Sequence, residues 1–356
     1  GGIAQKLIDF AKILVGRIPG GLAHTNILGN TLFGSLSGSS VAASVAIGGV
    51  LIPMEEKEGY DKKFAAAVNI ASAPTGLIIP PSGILIIYPV LAGCSVVGMI
   101  MSGYIPGLMW ALACMVVAYV IAKKNHYPTA GKVPASVFFK YFVDAIPSLL
   151  LIVIIVGGVM SGIFTATESA AVAVAYTLFL SIVVYRSIKI KDLPKILLDA
   201  CETTAIIMFL IAGSNVMSFV MSFTGLPSAI GNALISVSSN KYVILLIINL
   251  VLLVVGCFMD ITPAVLIFTP IFLPVVQSFG MDPIHFGIMM VMNLGIGNIT
   301  PPVGSSLFSG CSVADMDMED MIKPILPFYA AIFVALMLVA YVPWFSMALP
   351  TLFGAV

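Results

Sequence analysis

Two places in this chain interrupt an apolar segment with adjacent prolines: Leu77-Ile-Ile-Pro-Pro-Ser-Gly83 and Asn298-Ile-Thr-Pro-Pro-Val-Gly-Ser-Ser306. A Pro-Pro pair removes two amide donors and clashes with the preceding turn, and the glycine that follows admits backbone shapes closed to other residues. The background is strongly apolar, with 60% hydrophobic and 9% charged residues and a mean hydropathy of +1.12. That composition defines a polytopic membrane protein. In lipid, unpaired backbone groups are so costly that such a break persists only where protein, water or a bound ion satisfies them.

The two breaks belong to an internal duplication. Pro53, Gly59, Asp61, Gly76, Ile78, Pro80, Pro81 and Gly83 recur as Pro274, Gly280, Asp282, Gly297, Ile299, Pro301, Pro302 and Gly304, always 221 positions later (53 to 274, 83 to 304). Gly93-Cys-Ser-Val96 returns as Gly310-Cys-Ser-Val313 at the shorter offset of 217. Turn residues held in register at this distance indicate a repeated unit.

In order, residues 3–15 read as an amphipathic interfacial helix. Two apolar segments too short to span, 20–36 and about 41–54, meet at Gly34-Ser-Leu-Ser-Gly-Ser-Ser40. They predict a re-entrant hairpin closed by the charged exit Glu55–Lys63. The broken segment 64–100 follows, then a span at 106–122, a polar stretch from Lys123 to Lys140 read as a loop and surface helix, and spans at about 145–163, 168–185 and 199–222. A Gly/Ser-rich link leads to the second hairpin (242–257 and 265–279, tip Phe258-Met-Asp-Ile-Thr-Pro-Ala264), the second broken segment (284 to about 314) and a last span at 325–349.

Basic residues set the orientation. Lys57, Lys62 and Lys63, then Lys123 to Lys140, then Arg186 to Lys195 fall on one face when crossings are counted, and the positive-inside rule makes that face cytoplasmic. The exit of the second hairpin, Gln277 to His285, carries no Lys or Arg and falls on the opposite face. The repeats are therefore expected to be inverted. The expected fold is an all-α polytopic membrane protein with inverted repeats, two re-entrant helical hairpins and two broken transmembrane helices.

Several chemistries are excluded. His24, His126 and His285 show no ligand or nucleophile–base spacing, no phosphate-binding loop is present, and nothing points to nucleic acid. The chain is not expected to be an enzyme, and no catalytic residue or cofactor is assigned. Cys94, Cys114, Cys201, Cys257 and Cys311 have no paired spacing and are expected as free thiols. Broken helices instead offer carbonyls and dipole ends to ions. A first sodium site would join Ser37, Gly38, Ser39 and Ser40 to Pro80, Ser82 and Gly83. A second would join Asp260 and Thr262 to Asn298, Thr300, Pro302 and Gly304. Substrate would be met by Ser40, Ser82, Gly83, Gly304 and Ser305, where free amides suit an anion. The only arginines, Arg17 and Arg186, lie at interfaces, so amide dipoles and sodium must balance an acid's charge. For the Ser35–Ser40 cluster the competing reading is close helix packing. For Glu168, in Thr165-Ala-Thr-Glu168, it is a capping box. An ion channel is the rival at the level of function.

At these motifs the chain resembles the large membrane subunit of TRAP (tripartite ATP-independent periplasmic) transporters of the DctM/SiaM type, within the ion-transporter superfamily. The likeness covers essentially the whole chain. It is carried by the initial Gly-Gly-Ile, Leu36–Ser40, Ile52-Pro-Met54, Gly59-Tyr-Asp61, Ile79–Ser82, Phe164–Glu168, Phe258–Pro263 and Asn298–Gly304. Ala166 departs from the proline found in many members. The resemblance implies a sodium-driven elevator-type symporter in a bacterial inner membrane, taking up an organic acid. Sialic acid is favoured on the wording Ala73–Ser82, with a C4-dicarboxylate next. Its implied partners are a small four-helix membrane subunit, separate or fused upstream, and a periplasmic substrate-binding protein. The alternative is a sodium/dicarboxylate carrier that needs no binding protein. Residues 1–105 and 223–320 would form the two halves of the transport domain, with 106–222 as scaffold and arms and 321–356 as a C-terminal scaffold helix. The absence of an initial methionine gives the expectation of further helices upstream.

Overall fold

The computed structural model describes residues 3–129, 135–238 and 240–355; Gly1, Gly2 and residues 130–134 of the predicted polar loop lie outside them. Every regular element among the described residues is helical. The order is α1 (Ile3–Val15), α2 (Gly21–Ser37), α3 (Ser40–Lys57), α4 (Lys62–Ser72), α5 (Thr75–Ile78), α6 (Ile84–Ala92), α7 (Val96–Ser102), α8 (Tyr104–Lys124) and α9 (Ala135–Ile152). A π-helical turn leads to α10 (Gly158–Met160), then α11 (Ala166–Phe179), α12 (Leu193–Thr224), α13 (Leu226–Val237), α14 (Lys241–Phe258) and α15 (Ile261–Gln277). The chain ends with α16 (Pro283–Gly297), α17 (Ser305–Ala314), α18 (Met318–Tyr341) and α19 (Trp344–Leu352).

Six of the described helices are long and apolar enough to cross a membrane. The one spanning Ile190–Met221 leaves Leu197, Phe209, Phe219 and many other large apolar side chains uncovered, a surface suited to lipid and not to water. This is a multi-pass membrane protein.

Local chemistry explains where the helices stop. Between α2 and α3 the chain turns at Gly38 (φ +62), whose amide donates to Gly34 O at 2.7 Å, and Ser39 caps α3 by accepting from Ala42 N at 3.2 Å. Between α14 and α15 the turn is only Met259-Asp260, with Pro263 in the first turn of α15, where it forfeits no intrahelical bond. The proline pairs end α5 and α16, and helix resumes at Ile84 and Ser305. Both proline–proline bonds are cis. Positions 221 apart share local geometry: Gly59 and Gly280 have φ +87 and +78, and Asp61 and Asp282 cap α4 and α16 through Lys63 N (2.8 Å) and Ile284 N (2.7 Å). Gly83 and Gly304 differ, with φ −60 and +37.

Packing follows the rules of lipid, where burying apolar surface between helices gains nothing from water and contact quality decides. Gly34 of α2 crosses Gly76 of α5 so closely that a Cβ on Gly34 would lie 2.5 Å from the Gly76 Cα; Gly256 of α14 crosses Gly297 of α16 in the same way. One buried core runs through both halves, joining Ile47, Ile70, Phe286 and Leu294 to Trp110 of α8 and Phe328 of α18. The indole of Trp110 donates to Ala71 O at 2.8 Å, which pins α8 to α4.

Some boundaries differ from expectation. The last span runs 318–341 and not 325–349, because Pro343 cannot continue the amide ladder, and α19 starts afresh. The link after residue 222 is mostly helix α13. Glu55, read as part of a charged exit, sits inside α3 and is fully buried. Glu168 does close a capping box with Thr165, its carboxylate taking the Thr165 amide at 2.8 Å. All five cysteines are free thiols.

Candidate functional site

The tips of both helical hairpins meet the second proline break. Asn298, 3% exposed, ends α16 and donates through Nδ2 to Ser40 Oγ (2.8 Å) at the start of α3 and to Ser306 Oγ (3.0 Å) in α17. Ser306 Oγ in turn donates to Ser40 Oγ at 2.7 Å. On the other side of the amide, Ser305 Oγ reaches both Asn298 Oδ1 and Asp260 Oδ1, the latter at 3.2 Å, with a single proton for the two. Asp260 is the residue before α15 but makes no capping bond of its own, so its carboxylate is left for this cluster. The break is closed behind it by Val303 N donating to Cys257 O (3.1 Å) and by Ser306 N donating to Asn298 O (3.1 Å).

The result is a compact set of hard oxygens drawn from α3, the α14–α15 turn, the end of α16 and the start of α17: one carboxylate, one amide oxygen and three hydroxyls. The described residues contain no group of three or more His, Cys, Asp or Glu side chains that could hold a metal. The amide end of α17 adds a partial positive charge beside Asp260.

Sequence grouping and spatial grouping are different things here. Ser40, placed with Pro80, Ser82 and Gly83 by sequence, bonds across to Asn298 and Ser306. Ser37 and Ser39 turn their hydroxyls onto their own hairpin turn, Ser37 toward Gly34 O and Ser39 toward Ala42 N. Thr300 Oγ1 is spent on Ile296 O at 2.7 Å. Asp260 is exposed and Thr262 half-buried, while Pro302 is exposed and Gly304 buried. Ser306 was missed as a site residue; the signal for it was its place at the end of the second broken motif, one residue beyond Ser305.

The first break has a different neighbour. Gly38 lies against Pro81, Ser82 and Gly83 closely enough that a Cβ on it would stand 3.5 Å from the Gly83 amide nitrogen. Beside this contact is a cavity of about 210 Å³ whose far wall is Ile155, Val156 and Val159 of the α9–α10 region and Ala173 of α11. Ser82 is 2% exposed, and its hydroxyl has no hydrogen-bond partner. Pro80 is buried beside it and Gly83 is exposed.

Two interrupted helices presenting oxygens and helix ends inside a set of membrane-length helices define a membrane permease. The chain belongs to the tripartite ATP-independent periplasmic transporter family as its DctM component, the large permease, matching that family over residues 1–345. It is 52% identical over 99% of its length to the uncharacterized protein YgiK of Salmonella typhimurium, covering 81% of that protein. It is 39% identical to the C4-dicarboxylate TRAP transporter large permease protein DctM of Pseudomonas aeruginosa, with 99% of this chain and 83% of the relative aligned. With the sialic acid TRAP transporter large permease protein SiaM of Vibrio cholerae the identity is 38%, over 99% of this chain and 82% of the relative.

Proposed function

We propose that this permease drives uptake of an organic acid across a bacterial inner membrane with sodium as the coupling ion, and that the Asn298 cluster is where the ion acts. The observation that carries the reading is the bonding of two different hairpin tips to one broken helix: Ser40 with Asn298 and Ser306, and Asp260 with Ser305, which itself bonds Asn298. A cation there would be held by Asp260, Asn298 and Ser305. A second would be held near Ser82, Pro80 and Gly83, where a buried hydroxyl is unpaired. The acid would lie between them, against the amide ends of α6 and α17, near Ser82, Gly83, Gly304 and Ser305. Two sodium ions entering with one monoanion carry net charge +1, worth ~2.3 kcal/mol per 100 mV of membrane potential.

The α2–α3 and α14–α15 pairs would be re-entrant hairpins of inverted repeats. The moving body would comprise residues 1–105 and 223–320, extended by α8 and α18, which share its core. α9 to α12 would be the arms and scaffold against which it slides. Sialic acid stands first and C4-dicarboxylate second on the sequence from Ala73 to Ser82; relatives bearing either name are equally similar. A periplasmic binding protein would deliver the acid, and a small membrane subunit would complete the scaffold.

The test is uptake by the full permease in proteoliposomes, with and without an inward sodium gradient and a binding protein, over a panel holding both acids. Uptake that ignores sodium would overturn the coupling. Uptake that proceeds without any binding protein would favour the independent carrier.

A further inference from the structure

Glu55 is the one carboxylate that the core encloses completely among the described residues, at 0% exposure, and neither of its oxygens has a hydrogen-bond partner. It lies on the inward face of α3, in helical step with Ser44, Gly48, Leu51 and Ile52, all buried. Across the hairpin is Asn26 of α2, also 0% exposed. Its Nδ2 has no hydrogen-bond partner, although it lies near enough to act on the carboxyl as a donor. From Asn26 a buried chain of amides leads inward: Asn30 Nδ2 donates to Asn26 Oδ1 (2.9 Å) and Asn69 Oδ1 (3.0 Å), and Asn69 Nδ2 donates to Ser44 O (3.0 Å), one turn from Ser40.

Among the described residues no ion pair reaches Glu55. Around this end of α3 stand Glu58 and Tyr60 on the following turn, His24 on α2, Lys12 on α1, Tyr127 after α8, and Lys63 at the start of α4. Lys12 is drawn to Glu58 at 3.9 Å, and Lys63 is tied to Asp320 at 2.6 Å. Tyr60 is turned toward Leu22 N and Pro128 O. Glu58 adds repulsion. A carboxylate enclosed without a counter-ion is among the costliest groups a protein can hold, whereas the neutral acid is tolerated and can donate. Burial is the larger influence on the carboxyl, and the amide of Asn26, a donor, works against it by favouring the carboxylate; a donor there does not suit a metal cation.

We infer that Glu55 is a proton-binding site: the folded permease carries it as the neutral acid, enclosed in the α2–α3 hairpin beside Asn26. The site is separate from the Asn298 cluster and does not depend on sodium being the coupling ion. The proton's contribution has a definite sign. Well below the ordinary glutamate range, about pH 4.3, the acid is protonated in folded and unfolded chains alike. As pH rises the unfolded chain gives up its proton while the folded chain keeps it, so the folded-to-unfolded ratio falls by up to about tenfold per pH unit.

The experiment is heat stability of the full permease in nanodiscs from pH 5 to 8, wild type against Glu55→Gln, which keeps the neutral shape. Wild type is expected to lose stability relative to Glu55→Gln as pH rises, and parallel curves would overturn the assignment. Infrared spectra of wild type carrying carboxyl-labelled glutamate provide an independent reading that needs no variant. A protonated-carboxyl band persisting at neutral pH is expected, and its absence would overturn the proposal even if Glu55→Gln does not fold.

Discussion

Asn298 does two jobs with one side chain, donating to two serines and accepting from a third. Asn298→Leu removes both roles at similar volume and with them three hydrogen bonds, at ~0.5–1.5 kcal/mol each, while the Ser306–Ser40 and Ser305–Asp260 bonds remain. The expected outcome is a lower melting temperature together with loss of sodium-dependent uptake. Asp260→Asn is a contrasting case. Asp260 is exposed and bonded only through Ser305 among the hydrogen bonds described, so its variant should keep the wild-type melting temperature and shift only the sodium concentration for half-maximal uptake upward, measurable in the same vesicles. An unchanged sodium dependence would remove Asp260 from the ion's path. At this scale the sequence was informative where chemistry is local. Asn298 stands out because it precedes a proline break, and the Thr165–Glu168 box is complete within four residues. Ser306 and the partner of Ser40 were hidden, since nothing in a one-dimensional spacing says which hairpin tip faces which break. Glu55 was misread because Glu56, Lys57 and Glu58 beside it are exposed; its three- and four-residue step from Ile52 and Leu51 was the available clue.

Among elements, the close glycine crossings decide how hairpin and broken helix fit. A Cβ on Gly297 would fall within the backbone of Gly256, while one on Gly256 would press on the Gly297 Cα at 3.1 Å and require the backbone to give by a few tenths of an ångström. Gly297→Ala should therefore be poorly folded, and Gly256→Ala should be destabilised less, a difference read by thermal unfolding in detergent. Equal effects of the two would mean that the crossing is looser than described. The proline pairs can be tested in the same spirit: Pro81→Ala and Pro302→Ala each restore an amide donor and relax the local constraint. Uptake should fall sharply in both, with wild-type rates counting against any need for a fixed interruption. Helix ends set by Gly, Pro and Ser were readable from the sequence, including the turns at Gly38 and Asp260. The split of the last predicted span at Pro343 was missed because the apolar run continues through Phe345 and Leu349, and hydropathy alone does not register a single lost amide.

For the whole molecule, the sequence announced membrane insertion and family through composition and motifs. It did not reveal that α8 and α18 are welded into the same core as the two broken helices. That fact lives in contacts such as Trp110 to Ala71, 39 positions apart. If the core body slides past α9–α11, the cavity between Ser82 and Ala173 lies on the sliding surface. Ala173→Phe should block uptake while leaving the melting temperature near wild type; full activity would place that surface elsewhere. The bonding at Asn298 carries one more implication. If a ligand bound beside Asp260 changed the bonds of Ser305 and Asn298 that also hold Ser40, thermodynamic linkage would make that influence equal in the reverse direction. Order of arrival then cannot matter to the final affinity: the last guest to dock inherits the same free energy that the first one left behind.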